Sequence, residues 1–416
     1  MNALRGLLGD LDRNGRRLMA AKAFRGFAFG LNAVALGLYL AELELPGEAI
    51  GAVLSAALAG TLGLTVIITL WGDRIGRRRL LVAGSALMLL AAVIPAVGAN
   101  PVLLAVIGLT GMVAVTSSES TGLQSVDQAV LPQTLPAGRR TAAFALYNLL
   151  AAGASALGAL AVGPVVAAGR AAGLDGADAY APAFAIYAVA GLASTALSLG
   201  LDPRVEVGAP ATRRFGIHRS RRTVATLSGL FAVDAIAGGF VVQSYLAFWF
   251  AQRFAADPAA VGALFAATNV LAALSFPVAA WLAGRIGLIR TMVFSHIPAN
   301  LFLIGSALAP SAGLAMAFLL ARAALSSMDV PARQSYTMAV VDPDERTATA
   351  GVTSLARSTG HTIGPALAGA LLVPLGVGVP LIASGVLKTA YDLGLFALFR
   401  SRPAPEEAAA RPRAAR

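Results

Sequence analysis

The chain contains no cysteine, so neither a disulfide nor a thiolate-bound metal is available to it. Charge is scarce: Asp, Glu, Lys and Arg make up 13% of the 416 residues, against about 25% in a soluble domain of ordinary composition. Aromatic residues are 7% of the chain, few for stacking a sugar. Histidine occurs only at His218, His296 and His361, without metal-ligand spacing. The sequence has no Gly-rich phosphate-binding loop, no Walker motif and no credible nucleophile–base arrangement. These absences argue against ATP hydrolysis and against an enzyme, and they leave no call for a metal or an organic cofactor.

What is abundant is apolar. Hydrophobic residues form 57% of the chain, and they gather into stretches of about 20, long enough to cross a hydrocarbon core of roughly 30 Å as helices. Helices are the natural solution, because lipid offers backbone amides no other partners. The patterning predicts an all-α integral membrane protein with twelve spans, at 18–41, 49–71, 79–99, 102–128, 141–168, 180–201, 222–252, 258–283, 288–309, 312–338, 347–374 and 378–400. No cleavable signal precedes them; the polar start runs straight into a full-length span.

The net charge of +11 would suggest nucleic acid in a soluble protein. Here the basic residues sit in short loops, where topology and anionic headgroups explain them, so nucleic acid is not expected. One side carries Arg5, Arg13, Arg16, Arg17 and Lys22, then Arg74, Arg77, Arg78 and Arg79, then Arg139 and Arg140. The same side adds Arg213, Arg214, Arg219, Arg221 and Arg222, then Arg285 and Arg290. The opposite loops carry Arg170 and Arg253 beside Glu42, Glu44, Glu48, Asp175, Asp178 and Asp257. The bias places both termini in the cytoplasm of a bacterial-type inner membrane, with the lipid bilayer as the surrounding partner and a monomer as the expected unit.

The two halves read as copies. Arg140-Thr-Ala recurs as Arg346-Thr-Ala, Gln124-Ser125 as Gln334-Ser335, and Asp73-Arg-Ile-Gly76 as Gly284-Arg-Ile-Gly287. Span one then maps onto span seven in the same orientation, as in transporters built from parallel repeats. The predicted division is an N-terminal six-helix bundle over 1–201, a Pro- and Arg-containing cytoplasmic linker over 202–221, a C-terminal six-helix bundle over 222–400, and a disordered cytoplasmic tail over 401–416.

The most informative stretch is Thr69-Leu-Trp-Gly-Asp-Arg-Ile-Gly-Arg-Arg-Arg79, in the loop after span two. Gly76 permits a tight turn, and the basic run suits anionic headgroups. The segment resembles the loop signature of the major facilitator superfamily, Gly-x-Leu-Ala-Asp-Arg-x-Gly-Arg-Arg. Asp73, Arg74, Gly76, Arg77 and Arg78 match, while Thr69 replaces the leading Gly. The resemblance implies a twelve-helix fold of two parallel, pseudo-symmetric six-helix bundles, with spans one, four, seven and ten lining a central cavity. It also implies that Asp73 latches the halves together by contacting span eleven, where Arg346 is the preferred partner. Glycine at 284 deprives the second copy of this latch.

Span eleven carries Gly351, Gly360, Gly364, Pro365 and Gly369. Small residues allow close helix approach and Gly-Pro kinks a helix. The spacing also resembles the antiporter signature of the family's drug-efflux branch, which that branch carries in span five. Here span five keeps only Gly158 and Gly163-Pro164.

Ionisable residues inside spans are expected to face the bundle interior and find partners, because each costs roughly 3 kcal/mol or more against lipid. Arg25 in span one stands at the place of Asp234 in span seven, and Glu119 in span four matches Asp329 in span ten. Arg322 lies seven residues before Asp329 on the same face. These five form the candidate gate and proton-coupling set, with Arg25 the expected partner of Asp234 or Glu119 across the seam. Lys388 and Asp392, four apart, are expected to satisfy each other. His361, four residues from Arg357, reads either as a titrating group or as a hydrogen-bonded packing residue.

The functional expectation is a proton-coupled secondary transporter, energised by the proton gradient and exporting amphipathic or xenobiotic small molecules. An importer of a small metabolite on the same fold is the alternative. A transporter-like receptor or lipid-handling protein without vectorial activity is the third reading.

Overall fold

The computed structural model describes residues 11–117, 122–134, 140–206, 219–342 and 345–401, and the side chains of most of them. All regular structure among them is helical. The first half provides α1 (Arg13–Glu42), α2 (Gly47–Ile75), α3 (Arg77–Leu87), α4 (Pro101–Gly108), α5 (Gly122–Val130), α6 (Arg140–Ala171) and α7 (Ala181–Leu199). The second provides α8 (Arg221–Gly239), α9 (Gln243–Phe254), α10 (Pro258–Ile286), α11 (Leu288–Leu308), α12 (Ala312–Ser326), α13 (Asp329–Ala339), α14 (Arg346–Leu367) and α15 (Val379–Phe399).

Local chemistry sets the ends. Asp12 caps α1, its Oδ1 accepting the Gly15 amide at 2.7 Å. Gly76 closes α2 and opens α3 at φ +99°, and Gly287 does the same between α10 and α11 at φ +90°. Both angles lie where a side chain would be strained, so the repeat keeps glycine at these two equivalent turns.

Ten helical segments among the described residues are long and apolar enough to cross a membrane. Their outer faces expose Leu70, Trp71, Leu157, Val189, Leu274 and Trp281, an arrangement that suits lipid. Two expected spans fall short for identifiable reasons. Span four is divided between α4 and α5, with 118–121 outside the described residues. Span eleven, α14, carries Arg357, His361 and a series of Ser and Thr that lower its apolarity. Beyond Pro365 it widens into a π-helical turn, Ala368–Leu372.

The chain forms two compact units, one spanning Met1–Ala211 with Val242–Asn269 and the other Thr212–Val241 with Val270–Arg416. This differs from a single division at 202–221 in that residues 242–269 group with the N-terminal half. The reason is packing: α9 lies against α1, where the Ser244 hydroxyl donates to the Ala33 carbonyl at 2.7 Å and Gln252 donates to the Ala41 carbonyl at 3.1 Å. In the first unit α1 is the buried axis, packed on α6, α7 and α9. The α1–α6 crossing depends on Gly30, where a Cβ would fall 1.9 Å from the Ser155 carbonyl oxygen. In the second unit α8 crosses α14, and α11 packs on α12 and α15. Leu227, Phe231, Met292, Tyr336, Leu395 and Phe399 fill the core between α8, α11, α13 and α15.

Candidate functional site

The second unit holds a buried charge network centred on Asp234. Asp234 is 3% exposed on α8, and three other helices bring cations to it. Lys388 of α15 donates to Oδ1 at 2.6 Å, and Arg357 of α14 donates to Oδ2 at 2.9 Å. Arg333 of α13 stands 3.7 Å from Oδ2 and donates to Asp329 Oδ2, one turn away on its own helix, at 2.6 Å. The helices are built to meet at this depth: Asp234, Arg357 and Lys388 lie 13, 11 and 12 residues from Arg221, Arg346 and Arg400, about 17–20 Å along their helices. Next to this network, Asp392 receives His296 Nδ1 at 3.0 Å and Asn300 Nδ2 at 2.9 Å.

The first unit holds a separate network around Arg25, fully buried on α1. Its guanidinium pairs with Asp127 of α5 and donates to the Ser194 hydroxyl of α7 at 3.2 Å. Tyr147 of α6 donates to Asp127 Oδ2 at 2.8 Å, and Ser85 of α3 shares a hydrogen bond with Ser194 at 2.8 Å. Lys22, one turn before Arg25, lies over the Tyr147 ring, 4.7 Å from its centroid. The repeat has therefore reversed sign: the first helix of the first half contributes the cation, and that of the second half contributes the carboxylate.

Several expectations are corrected by these contacts. Asp234 has its cations in its own unit, and Arg25 pairs with Asp127. Asp329 pairs with Arg333, one turn along α13, and not with Arg322, which lies on α12 before the turn at Ser327 and Met328 that breaks the span. Arg322 makes no ion pair among the described residues. Lys388 and Asp392 turn to Asp234 and His296 on neighbouring helices rather than to each other. Lys22 is 2% exposed inside α1, not a charge of the tail. Glu119 lies outside the described residues.

In the loop after α2, Arg74 is exposed. The Glu206 carboxylate receives the Arg77 amide at 2.7 Å and the Arg78 amide at 3.2 Å, so it caps the N-terminus of α3. Arg78 donates from its side chain to the Leu199 carbonyl at 2.6 Å. In the second unit Glu345 plays the matching part, receiving the Arg219 and Ser220 amides at 2.7 and 3.0 Å before α8. The side chains of Asp73 and Arg346, the expected latch, lie outside the described residues. In span eleven, Gly360 and Gly364 form the α8 crossing, where a Cβ would meet the Ala232 and Ile236 carbonyl oxygens at 2.6 Å in each case. Gly351 faces open space, and Gly369 lies in the π-helical turn after Pro365.

The apolar outer faces and the ion networks buried between helices are those of a polytopic membrane protein. The sequence profile of the Major Facilitator Superfamily matches residues 18–324 and 230–416, and the chain belongs to that family. An uncharacterized membrane protein of Saccharomyces cerevisiae is 27% identical over 426 residues, covering 93% of this chain and 94% of that one. The fold is that of solved transporters. The nucleoside transporter NupG aligns with a TM-score of 0.69 at 13% identity, over 93% of this chain and 98% of its own. A bacterial homolog of the human lysosomal transporter Spinster, inward-facing and occupied, aligns with a TM-score of 0.69 at 15% identity, over 93% and 96%. A D-xylose–proton symporter aligns with a TM-score of 0.68 at 14% identity, over 91% and 97%.

Proposed function

We propose that this secondary transporter is proton-coupled, works by alternating access, and exports amphipathic small molecules. The observation that carries the coupling is Asp234, whose three cations come from three different helices. Displacement of α8 from the three helices around it withdraws those cations from the carboxylate. A buried carboxylate that loses its cation takes up a proton in compensation, and gives it back when the cation returns. The proton gradient supplies the energy, and no cofactor is required.

Export is supported by the resemblance of the Gly351–Gly369 pattern to the drug-efflux signature. Import of a small metabolite is the second reading, favoured by the likeness to a nucleoside transporter and to a D-xylose–proton symporter. The loop charges support cytoplasmic termini in a bacterial-type inner membrane.

Proteoliposomes with an imposed pH gradient, screened across diverse compounds, test the reading. Asp234→Asn is expected to abolish gradient-driven accumulation while retaining substrate exchange, because exchange needs no net proton transfer. A variant that still concentrates substrate in response to the gradient removes Asp234 from the coupling role and moves the test to Glu119 and Asp329.

A further inference from the structure

The charge balance of the second unit bears on what the substrate carries; the argument rests on the transporter reading above. Away from their cytoplasmic ends, the helices of this unit contain four permanent cations, Arg322, Arg333, Arg357 and Lys388, and three carboxylates, Asp234, Asp329 and Asp392. Asp392 is occupied by His296 and Asn300. The four cations therefore outnumber the carboxylates by one, and the contacts of Asp234 and Asp329 are already allotted. Lys388 takes one oxygen of Asp234, Arg357 takes the other, and Arg333 is shared between Asp234 and Asp329.

The unused donors are on Arg357 and Arg322. Arg357 makes one hydrogen bond among the described residues, through Nη1, and its side chain is 32% exposed, the most open of the charged groups around Asp234. Arg322 has a buried Nε with no hydrogen-bond partner among the described residues, and it lies within electrostatic reach of Asp234. His361, one turn beyond Arg357 on α14, lies within the same reach of Arg357 and Lys388. Buried charge without a counter-charge is unfavourable in a medium that hydrates it poorly. A guanidinium with a free edge is a planar fork suited to the two oxygens of a carboxylate or phosphate.

We infer that the substrate carries an oxyanion, a carboxylate or phosphate, which binds the open edge of Arg357 while Arg322 supplies the second positive charge. A neutral or cationic substrate would leave the excess of cations in place. Binding also gives Arg357 an alternative to Asp234, so that substrate and Asp234 compete for one guanidinium.

The test uses the full chain in phosphatidylcholine nanodiscs and reads thermal melting with matched compounds. One set is phenylacetate, phenethylamine and phenethyl alcohol; a second is glucose 6-phosphate, glucosamine and glucose; phenyl phosphate, chloride and inorganic phosphate are added singly. The anionic member of at least one set is expected to raise Tm, with no rise from its neutral and cationic twins. Arg357→Gln is expected to abolish the rise, and Arg357→Lys, which keeps charge but loses the fork, to weaken binding about tenfold. Arg322→Gln provides a second variant should Arg357→Gln fail to fold, and is expected to weaken the anion's effect as well. The inference is overturned if no anion exceeds its twins, if chloride alone reproduces the rise, or if both glutamine variants retain it. It is also overturned if stabilisation requires phosphatidylglycerol in the disc and no soluble anion competes, which would mark a lipid headgroup site. Flux in proteoliposomes separates the two readings. Transport of a neutral or cationic twin without anion binding sinks the oxyanion and keeps the transporter. Anion binding without flux of any compound sinks the transporter reading and keeps the site.

Discussion

Lys388 Nζ stands 2.6 Å from Asp234 Oδ1, between helices separated by 154 positions of sequence, with both side chains less than a tenth exposed. The pair is not isolated, and the remaining cations decide how each partner behaves when it is removed. Asp234→Asn strands Lys388 and Arg357 together, whereas Lys388→Met leaves Asp234 with Arg357 at 2.9 Å and Arg333 at 3.7 Å. Stranding a buried charge costs about 3–5 kcal/mol. The expected order of melting temperatures is therefore native, then Lys388→Met, then Asp234→Asn. The reverse order would show that Lys388, not Asp234, is the centre of the network.

The Arg25 network of the first unit predicts a graded response. Arg25→Met leaves Asp127 buried with the Tyr147 hydroxyl and without that cation, a loss of about 3–5 kcal/mol. Tyr147→Phe removes one hydrogen bond to a charged group, about 1.5–3 kcal/mol, and keeps the ring beneath Lys22. Chemical denaturation of the two variants checks the order. Equal losses would mean that Tyr147, not the ion pair, holds α5 in place.

Glu206 predicts a local effect. A helix cap contributes about 1 kcal/mol, so Glu206→Gln should speed hydrogen exchange of the Arg77 and Arg78 amides about fivefold. The Arg219 and Ser220 amides, capped by Glu345, should not change in that variant. Unchanged exchange at Arg77 and Arg78 would leave Glu206 without a capping role.

Gly37 predicts an effect on the α1–α9 contact. A Cβ there would fall 2.0 Å from the Ser244 carbonyl oxygen, and a backbone atom cannot swing aside as a side-chain tip can. Gly37→Val should therefore part α9 from α1 and expose a cysteine placed at Ser244 to an impermeant maleimide. Labelling as slow as in the Gly37 parent would show that the contact adjusts without opening.

Much of the architecture was legible because lipid imposes simple rules. The apolar runs, the two Gly turns at 76 and 287, and the loop signature lie in continuous sequence and report themselves. The pairing of charges did not, since partners come from different helices and spacing along one helix says little about them. Lys388 and Asp392 have the right separation for a local pair, yet each has a stronger offer from a neighbouring helix. Asp127, one residue from the predicted end of span four, carries no sequence signal of its partner, although it is fully buried against Arg25. Lys22 was misleading at the start of span one. Arg333 was the readable miss: its i,i+4 spacing to Asp329 lies in the sequence, whereas Arg322 stands beyond a helix break.

The polarity of α14 has a consequence for how the protein is made. Arg357 near the middle of a helix costs about 2.5–3.5 kcal/mol during insertion from the translocon, and His361 and the Ser and Thr residues offer little to offset it. The helix emerging from the ribosome is thus a poor candidate to partition into lipid by itself. Its remedy is already in the bilayer: α8, synthesised more than a hundred residues earlier, presents Asp234 to the arginine and a small-residue face to Gly360 and Gly364. The same contact that buries Arg357 in the folded protein thus offers span eleven a partner as it enters the bilayer.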